Sequence, residues 1–438
     1  MPPNAGPPVL GIDFGTTNSV LALLHPDGTT TTARFGPNDV FRSVLCFWAE
    51  AQGQGSKLRH QAGPDAIAAY LDDPLDSRLI MSMKTYLAQR SFTETRIFGR
   101  RFTLEALIAA FLVRFLAAAG VDPTGLRVIA GRPVRFAGER TDDDFGEARL
   151  RAAFAAAGLT GVDVALEPEG AGYRFARTLT APATVLIGDF GGGTSDFSLL
   201  RFTPGAKGQS GVTPLGHAGV GIAGDVFDYR IIDQVISPLL GKGGSYRVMG
   251  GPDLPVPPEY FSSFARWHRL SLMRNPKTLR EIGEVMRDSR DPGKLRNLLT
   301  LIEDELGYRL YQTVAAVKAA LSSDHSARLC FHHKSLAIDV EVTRDAFEAW
   351  IAGDLAQFAG AVDRVLVGAG VAAAAVDHVF LTGGSSFVPA VRRLFDERFG
   401  AARVTTGGEF VAVAEGLALI GRDRAAGFSA SQADGSPG

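Results

Sequence analysis

Two aspartates, each within a glycine-containing segment, have the residue type and spacing that a metal- and phosphate-binding site requires. Asp13 and Asp189 each follow an apolar run and precede Phe-Gly and then a turn rich in Gly, Thr and Ser. Such turns direct backbone N–H groups and hydroxyls toward one point, which suits phosphate oxygens. An unpaired carboxylate at the end of a buried strand is costly, and a divalent cation between the two would relieve that cost. Because Mg²⁺ prefers a few carboxylates, waters and phosphate oxygens, the pair predicts a Mg-nucleotide site.

The two segments are related by more than the aspartate. Their offset is 189 minus 13, or 176 residues, and at the same offset Ser19 matches Ser195 and Leu23 matches Leu199. Either hairpin alone is equally explained as an ordinary Asp-Gly turn, but both together favour a shared site. One acidic hairpin used twice at this interval predicts two related lobes rather than a short-period repeat.

The elements that must position these residues can be predicted from the hydrophobic pattern. The apolar runs 9–12 and 20–24, separated by a polar tip, predict a hairpin. A helix is predicted over 103–120, a buried strand over 126–130 and a second helix ending at Gly158. Residues 241–258 are rich in Gly and Pro and predict an irregular loop. Helices are predicted from 259 to 322, with a break near Asp291-Pro292-Gly293. A strand over 377–382 then leads through a glycine pair into a helix that has Pro389 in its first turn and is ended by Gly400.

Two further glycine motifs bear on nucleotide binding. Gly383-Gly384-Ser385, between a strand and a helix, would let a ligand approach the backbone closely. Gly219-Val220-Gly221-Ile222-Ala223-Gly224 spells the dinucleotide fingerprint, but it lacks the β-α-β context and is interpreted as another loop bordering a nucleotide. No Gly-x-x-x-x-Gly-Lys-Ser/Thr segment occurs, which argues against a P-loop protein.

Composition excludes several classes. The 438 residues carry 45 Lys+Arg and 47 Asp+Glu, a net charge of -2 that gives no support for a nucleic-acid partner. The two cysteines, Cys46 and Cys330, lack metal-ligand spacing. The most apolar long stretch, residues 104–119, contains Glu105 and Arg114 and predicts an amphipathic core helix rather than a membrane span. With no signal-peptide pattern at the start, the expected location is the cytoplasm.

Taken together, these motifs resemble those of the actin-like ATPases. The two phosphate motifs and the adenosine motif of that superfamily resemble residues 9–24, 185–200 and 379–389, in that order. Within the superfamily, the chain is most similar to the nucleotide-binding domain of the 70-kilodalton heat-shock chaperones. Further matches are Met83-Lys84-Thr85-Tyr86-Leu87, Pro133, Glu167-Pro168, Gly224-Asp225-Val226-Phe227-Asp228, Lys318 with Leu321-Ser322-Ser323, and Thr343-Arg344-Asp345-Ala346-Phe347. The resemblance implies an α/β fold of two duplicated ribonuclease-H-like lobes, each a mixed sheet flanked by helices, with a nucleotide cleft between them.

The resemblance also implies residue roles. Asp13 and Asp189 would hold a hydrated Mg²⁺, Lys84 and Glu167 would position the attacking water, and Thr194 would contact the γ-phosphate of ATP. The residues implied in binding ATP or ADP are Gly15, Thr16, Thr17, Asn18, Gly191, Gly192, Gly193, Thr194, Gly224, Asp225, Lys318, Ser322, Gly383, Gly384, Ser385 and Phe387. Without the resemblance, Lys84 would be read as a solvated lysine and Glu167 as an exposed acid.

Departures from the family pattern concern the base pocket and the chain length. Phe387 stands where the family has an Arg that stacks on adenine, and Ala319 and Ala315 stand where it has a second Arg and a Glu. Residues 241–300 are extra chain, which resembles the shorter chaperone-like proteins of the YegD type. The chain is also expected to lack the family's linker and peptide-binding domain, because its last residues are few and polar.

The predicted organisation is lobe I at 8–180 and lobe II at 181–421, with a helical subdomain at 225–325 and a disordered tail at 425–438. The leading function is a Mg-dependent ATPase switch that acts on a protein partner or co-chaperone. The alternatives are a sugar-type kinase of the same superfamily and a non-catalytic nucleotide-dependent interaction module. A filament-forming protein is disfavoured by the chaperone-like motifs.

Overall fold

The computed structural model describes residues 7–52, 55–138, 141–204, 210–263, 270–407 and 411–433. The chain forms two compact units. The first contains the chain up to Leu71, Arg78–Ala223 and the chain from Ala356 onward, and the second contains Asp72–Ser77 and Gly224–Leu355. Both of the larger sheets lie in the first unit, so its boundaries differ from those of the predicted lobes.

The strands are β1 Val9–Phe14, β2 Asn18–Leu24, β3 Thr30–Thr32, β4 Phe41–Arg42, β5 Leu45–Gln52, β6 Gly55–Ala62, β7 Ser77–Ile80, β8 Glu94–Ile97, β9 Arg100–Thr103, β10 Arg127–Arg132, β11 Asp163–Leu166, β12 Ala183–Phe190, β13 Ser195–Pro204, β14 Ser210–Val220, β15 Ser245–Tyr246, β16 Leu254–Pro255, β17 Ser326–His333, β18 Leu336–Thr343, β19 His378–Thr382 and β20 Val404–Thr406.

The helices are α1 Gly63–Asp72, α2 Leu104–Ala119, α3 Asp143–Ala156, α4 Glu167–Ala176, α5 Gly224–Ile231, α6 Ser237–Leu239, α7 Glu259–Ser262, α8 Leu270–Met273, α9 Pro276–Asp288, α10 Pro292–Glu303, α11 Gly307–Ser323, α12 Arg344–Ala369, α13 Pro389–Phe399 and α14 Ala412–Ala433. A π-helical turn, Ile232–Ile236, joins α5 to α6.

The two larger sheets of the first unit have the same topology. One has the order β3-β2-β1-β10-β11, with β4 also paired to β2, and the other has the order β14-β13-β12-β19-β20. In each, an antiparallel hairpin (β1–β2 or β12–β13) continues into two parallel strands. The hairpin registers also correspond, because Phe14 pairs with Ser19 and Phe190 pairs with Ser195. The predicted duplication of a mixed sheet flanked by helices is therefore confirmed.

Helices α4 and α14 form the core that the two sheets share. Buried side chains of β1 and β10 and of β12, β13 and β19 join those of both helices in one apolar cluster. The helices approach closely at two glycines: a Cβ on Gly416 would lie 1.6 Å from the carbonyl oxygen of Gly170. This contact fixes the first residue of α4, Glu167, relative to both sheets.

Most predicted elements of the first unit are confirmed. Helix α2 begins after Thr103, whose side chain accepts a hydrogen bond from the N–H of Ala106, and ends at Gly120 in the left-handed conformation. Such an N-cap and a glycine C-cap fix both ends of a helix. Helix α13 begins at Pro389 and is followed by Gly400, as the sequence predicts.

The second unit consists mainly of helices with the hairpin β17–β18. Between α6 and α7, the stretch predicted as an irregular loop contains only the two-residue strands β15 and β16. The predicted break near Asp291 is confirmed, because α9 ends at Asp288 and α10 begins at Pro292. Residues 264–269, within the predicted helical stretch, lie outside the described residues.

The predicted disordered tail needs correction over part of its length. Helix α14 continues to Ala433, whereas disorder was expected from residue 425. Alanine has the highest helix propensity, and the segment contains Ala425, Ala426 and Ala430 with no proline. Residues 434–438 lie outside the described residues. In the described part of the chain, none of the helices combines the length and the apolar character that a membrane span requires.

Candidate functional site

The tips of the two duplicated hairpins face each other. A Cβ built on Gly193, in the β12–β13 turn, would lie 3.0 Å from Thr16 Oγ1 in the β1–β2 turn and 3.6 Å from Thr85 Oγ1. The Gly191 N–H donates to the Thr194 carbonyl oxygen (3.0 Å), which closes the second tip tightly. The absence of a side chain at Gly193 thus leaves room between the tips where phosphate oxygens can approach backbone N–H groups.

Lys84 and Glu167 form a buried ion pair beside these tips. Lys84 Nζ lies 2.5 Å from Glu167 Oε1, and the two side chains are only 7% and 8% exposed. Lys84 belongs to a short 3₁₀ helix, Met83–Tyr86, which follows Ser82 in the left-handed conformation (φ 53°). A non-glycine residue in that region is strained, and such strain often accompanies functional sites. Glu167 begins α4, where the positive end of the helix dipole favours a carboxylate.

In this site the carboxyl groups of Asp13, Glu167 and Asp189 surround one amine, that of Lys84. Burial, then Glu167, raise the pKa of Asp13 to about 7, and Lys84 lowers it in part. Burial, then Glu167 and Asp13, raise the pKa of Asp189 well above its usual value. Burial lowers the pKa of the Lys84 amine, but the attraction of Glu167 and Asp13 is larger, so the pKa is raised. A lysine that faces several carboxylates leaves a need for further positive charge.

Asp196 is a further acid beside the site, which the sequence analysis did not select. It is 2% exposed, and its Oδ1 accepts from the backbone N–H groups of Val134 (3.0 Å) and Arg135 (3.3 Å). Thr194 Oγ1 donates to its Oδ2 (3.0 Å). Burial, then Glu167, raise the pKa of Asp196 to about 7. The carboxylate thus joins the predicted Thr194 to the loop after β10.

These residues fit a Mg²⁺ ion with a bound phosphate better than a metal held by protein alone. Asp13 and Asp189 occupy equivalent positions, each one residue before the end of its strand. Within the described ranges, no group of three or more His, Cys, Asp or Glu side chains is arranged to hold a metal. Mg²⁺ commonly takes one or two carboxylates and completes its shell with water and phosphate oxygens. A divalent cation would also favour the ionised form of both aspartates.

The residues around the first tip are held by β4 and its neighbours. Asn18 Oδ1 accepts a hydrogen bond from Arg42 (3.1 Å), and the Thr17 carbonyl oxygen accepts from the Ser43 N–H (2.9 Å). Gly15 has no room for a side chain, because a Cβ there would lie 2.1 Å from the Asn18 carbonyl oxygen. Of the predicted phosphate residues, Asn18 therefore already has a protein partner for its amide oxygen.

The predicted adenosine motif in the first unit lies against the second hairpin. Asp189 and Thr382 are partners in the β12–β19 pairing, and Gly383 follows in the left-handed region (φ 85°). A Cβ on Gly383 would lie 2.2 Å from the Phe190 carbonyl oxygen, so only glycine fits. Ser385 is buried, whereas Phe387 is 42% exposed and does not pack into the core. The motif brings Gly383, Gly384 and Ser385 to the strand that carries Asp189.

Four other predicted nucleoside residues belong to the second unit: Gly224, Asp225, Lys318 and Ser322. Lys318 Nζ donates to the Gly224 carbonyl oxygen (3.0 Å) and to Asp228 Oδ2 (2.8 Å), which links α11 to the start of α5. Ser322 lies four residues after Lys318, on the same side of α11. The amine of Lys318 thus has a structural role whether or not it contacts a nucleotide.

Comparison with known proteins identifies relatives over nearly the whole chain. The family model described as Hsp70 protein matches residues 299–426. A DnaK chaperone of Thermotoga petrophila is 24% identical over 401 residues, which is 90% of this chain and 55% of that protein. An HscA chaperone homologue of Azotobacter vinelandii is 26% identical over 427 residues, 94% of this chain and 57% of that protein. The chain thus spans little more than half the length of these curated relatives.

Proposed function

We propose that the chain is an ATPase domain of the Hsp70 family, and that it binds Mg-ATP and hydrolyses it as a conformational switch. The observation that carries this proposal is the buried Lys84–Glu167 pair, which lies among Asp13 and Asp189 beside two glycine-containing tips. Phosphoryl transfer depends on positioning and charge neutralisation more than on a covalent nucleophile, and these residues supply both.

Each group has a distinct task in this proposal. Glu167 accepts a hydrogen bond from the attacking water, and Lys84 supplies positive charge near the transferred phosphoryl group. Asp13 and Asp189 would hold a hydrated Mg²⁺, which would neutralise phosphate charge. The Gly191–Thr194 tip gives backbone N–H groups to the phosphate, with the Thr194 hydroxyl oriented by Asp196. The nucleoside would contact the Gly383 motif.

The proposal is tested by phosphate release from ATP in the presence and absence of Mg²⁺. Mg-dependent release without any second substrate supports the ATPase. Release that requires a sugar would indicate the kinase alternative, and nucleotide binding without turnover would indicate the non-catalytic interaction module. The buried Lys84–Glu167 pair favours hydrolysis over the last of these, because a binding module has no need of water-positioning groups.

The action of this chain together with a protein partner is also a proposal. DnaK and HscA are named as chaperones, and we propose that this chain acts with a protein partner in a related way. Fluorescence anisotropy with an unfolded, apolar peptide, in ATP and then in ADP, tests whether the chain itself has nucleotide-dependent peptide affinity. The likeness to proteins of the YegD type and the cytoplasmic location stay predictions.

We expect Phe387→Ala to weaken ATP binding by up to ~100-fold. The ring is exposed next to Ser385, and stacking of an aromatic side chain on a base is worth about 1–3 kcal/mol. Phe387→Tyr keeps the ring and should retain the parent affinity. Nucleotide affinity measured by calorimetry distinguishes the two variants. Equal affinity in the parent protein and in Phe387→Ala would show that the ring does not contact the base.

A further inference from the structure

The second unit contains a surface cavity that the proposed nucleotide site does not use. Its volume is about 430 Å³, and it lies between the π-helical turn with α6 and the loop that carries β15 and β16. The lining residues are Asp233, Gln234, Pro238, Lys242, Gly243, Pro255, Val256 and Pro258. This volume falls within the range of roughly 300–1,000 Å³ that is usual for small-molecule sites. All of the lining residues belong to one unit.

The walls of the cavity are fixed by backbone contacts. The Lys242 N–H donates to the Ser237 carbonyl oxygen (2.9 Å), and the Val256 N–H donates to the Gly244 carbonyl oxygen (2.9 Å). The loop is also tied to α9, because the Arg247 N–H donates to the Asp288 carbonyl oxygen (2.9 Å). Proline restricts the backbone at three lining positions. A cavity formed in advance binds a ligand without the entropy cost of ordering its walls.

The cavity has one apolar wall and one charged end. Pro238, Pro255, Pro258 and Val256 provide the apolar wall. At the charged end, Lys242 Nζ lies 2.5 Å from Asp233 Oδ1, and the same oxygen accepts from the Tyr229 hydroxyl (3.1 Å).

The two charged side chains of this end are not equally available to a ligand. The side chain of Asp233 is 13% exposed and that of Lys242 is 37% exposed. Asp233 already accepts from three donors, those of Lys242, Tyr229 and Gln234. The group with spare hydrogen-bonding capacity is therefore the ammonium of Lys242, which carries three N–H donors.

We propose that this cavity binds a carboxylate that has a compact apolar body, with the carboxylate on Lys242 and the body against the proline wall. An anion is favoured over a cation because the accessible polar group is a donor. Hydrogen bonds from an ammonium group to a carboxylate are stronger than those between neutral groups. The ligand can be a free acid or the C-terminal residue of a peptide, since both present the same chemistry.

A ligand-observed NMR titration of the full chain without nucleotide tests this proposal with N-acetyl-leucine and N-acetyl-leucinamide as probes. The acid should bind about 10-fold or more tightly than the amide, because only the acid carries the charge that Lys242 meets. An N-acetylated tripeptide ending in leucine separates the two sources. Tighter binding of the tripeptide indicates a peptide terminus, and equal binding indicates a free acid. Equal affinity for the acid and the amide, or binding of neither, overturns the proposal.

Variants of Lys242 test whether this side chain binds the carboxylate of the ligand. Lys242→Met keeps the aliphatic chain and should lower affinity for the acid about 10-fold or more, whereas Lys242→Arg should retain it. Lys277→Met is the matched control, since the Lys277 side chain is 85% exposed on α9 and does not line the cavity. Parent-like affinity in Lys242→Met contradicts the proposal. If Lys242→Met fails to fold, the comparison of acid with amide in the parent protein still decides the question.

Discussion

Lys84→Ala should lower the rate of ATP hydrolysis about 100-fold or more while ATP still binds. The ammonium of Lys84 is buried and lies 2.5 Å from Glu167, the residue that begins α4. Removal of one preorganised charge-stabilising group typically costs 100- to 1000-fold in turnover. Because this group is proposed to act in the transition state, the rate constant should fall more than the affinity does. Single-turnover hydrolysis and nucleotide binding, measured on the same preparation, separate the two effects.

The substitution also leaves Glu167 buried without its partner, so stability must be measured beside activity. Breaking a buried pair can cost about 3–5 kcal/mol of the free energy of unfolding. Glu167→Gln, which removes charge without changing shape, provides a second test of the same step and should also slow hydrolysis. Lys277→Ala changes an exposed lysine and should leave the rate unchanged. Hydrolysis at the parent rate in a folded Lys84→Ala protein would remove this lysine from the mechanism.

The duplication is the part of the fold that the sequence predicts best. The aspartates, the glycines after them and the flanking apolar residues repeat at one offset, and the two sheets have the same strand order. The ends of α2 and α13 are also predictable, because the effect of a capping residue or a terminal glycine depends only on the neighbouring residues. Neither signal specifies the contact of Gly170 with Gly416, which joins residues far apart in the sequence.

The candidate site is predictable in part for the same reason. The repeat identifies Asp13 and Asp189, because an aspartate occupies the same position in both hairpins. Asp196 corresponds to Val20 of the first hairpin, so the repeat gives no indication of it. Lys84 and Glu167 are 83 residues apart, and only their resemblance to a known motif suggests that they meet. A signal for Asp196 was present, because an acid inside an otherwise apolar strand needs a partner. Its partners are backbone N–H groups after β10, which a sequence pattern does not reveal.

Asp13→Asn and Asp189→Asn should each lower Mg-dependent ATP turnover by roughly 10- to 1000-fold, the range expected for loss of an electrostatic anchor. The same substitutions should raise the free energy of unfolding of the nucleotide-free protein. Burial and neighbouring acids raise the pKa of both carboxyls, so each ionised aspartate opposes folding, and a neutral amide of the same shape removes that cost. Loss of activity with a gain of stability is typical of a site built for function.

Thermal unfolding with and without Mg-ATP tests both parts of this expectation. A ligand that binds only the folded state raises the unfolding temperature, so Mg-ATP should stabilise the parent protein more than either variant. Removal of Mg²⁺ with a chelator should reduce turnover strongly in the parent and have little further effect in the variants. Asp65→Asn, an exposed position on α1, serves as the control and should match the parent. If both site variants hydrolyse Mg-ATP as fast as the parent, the duplicated aspartates do not hold the metal, and the excess of carboxylates around Lys84 must serve another ligand.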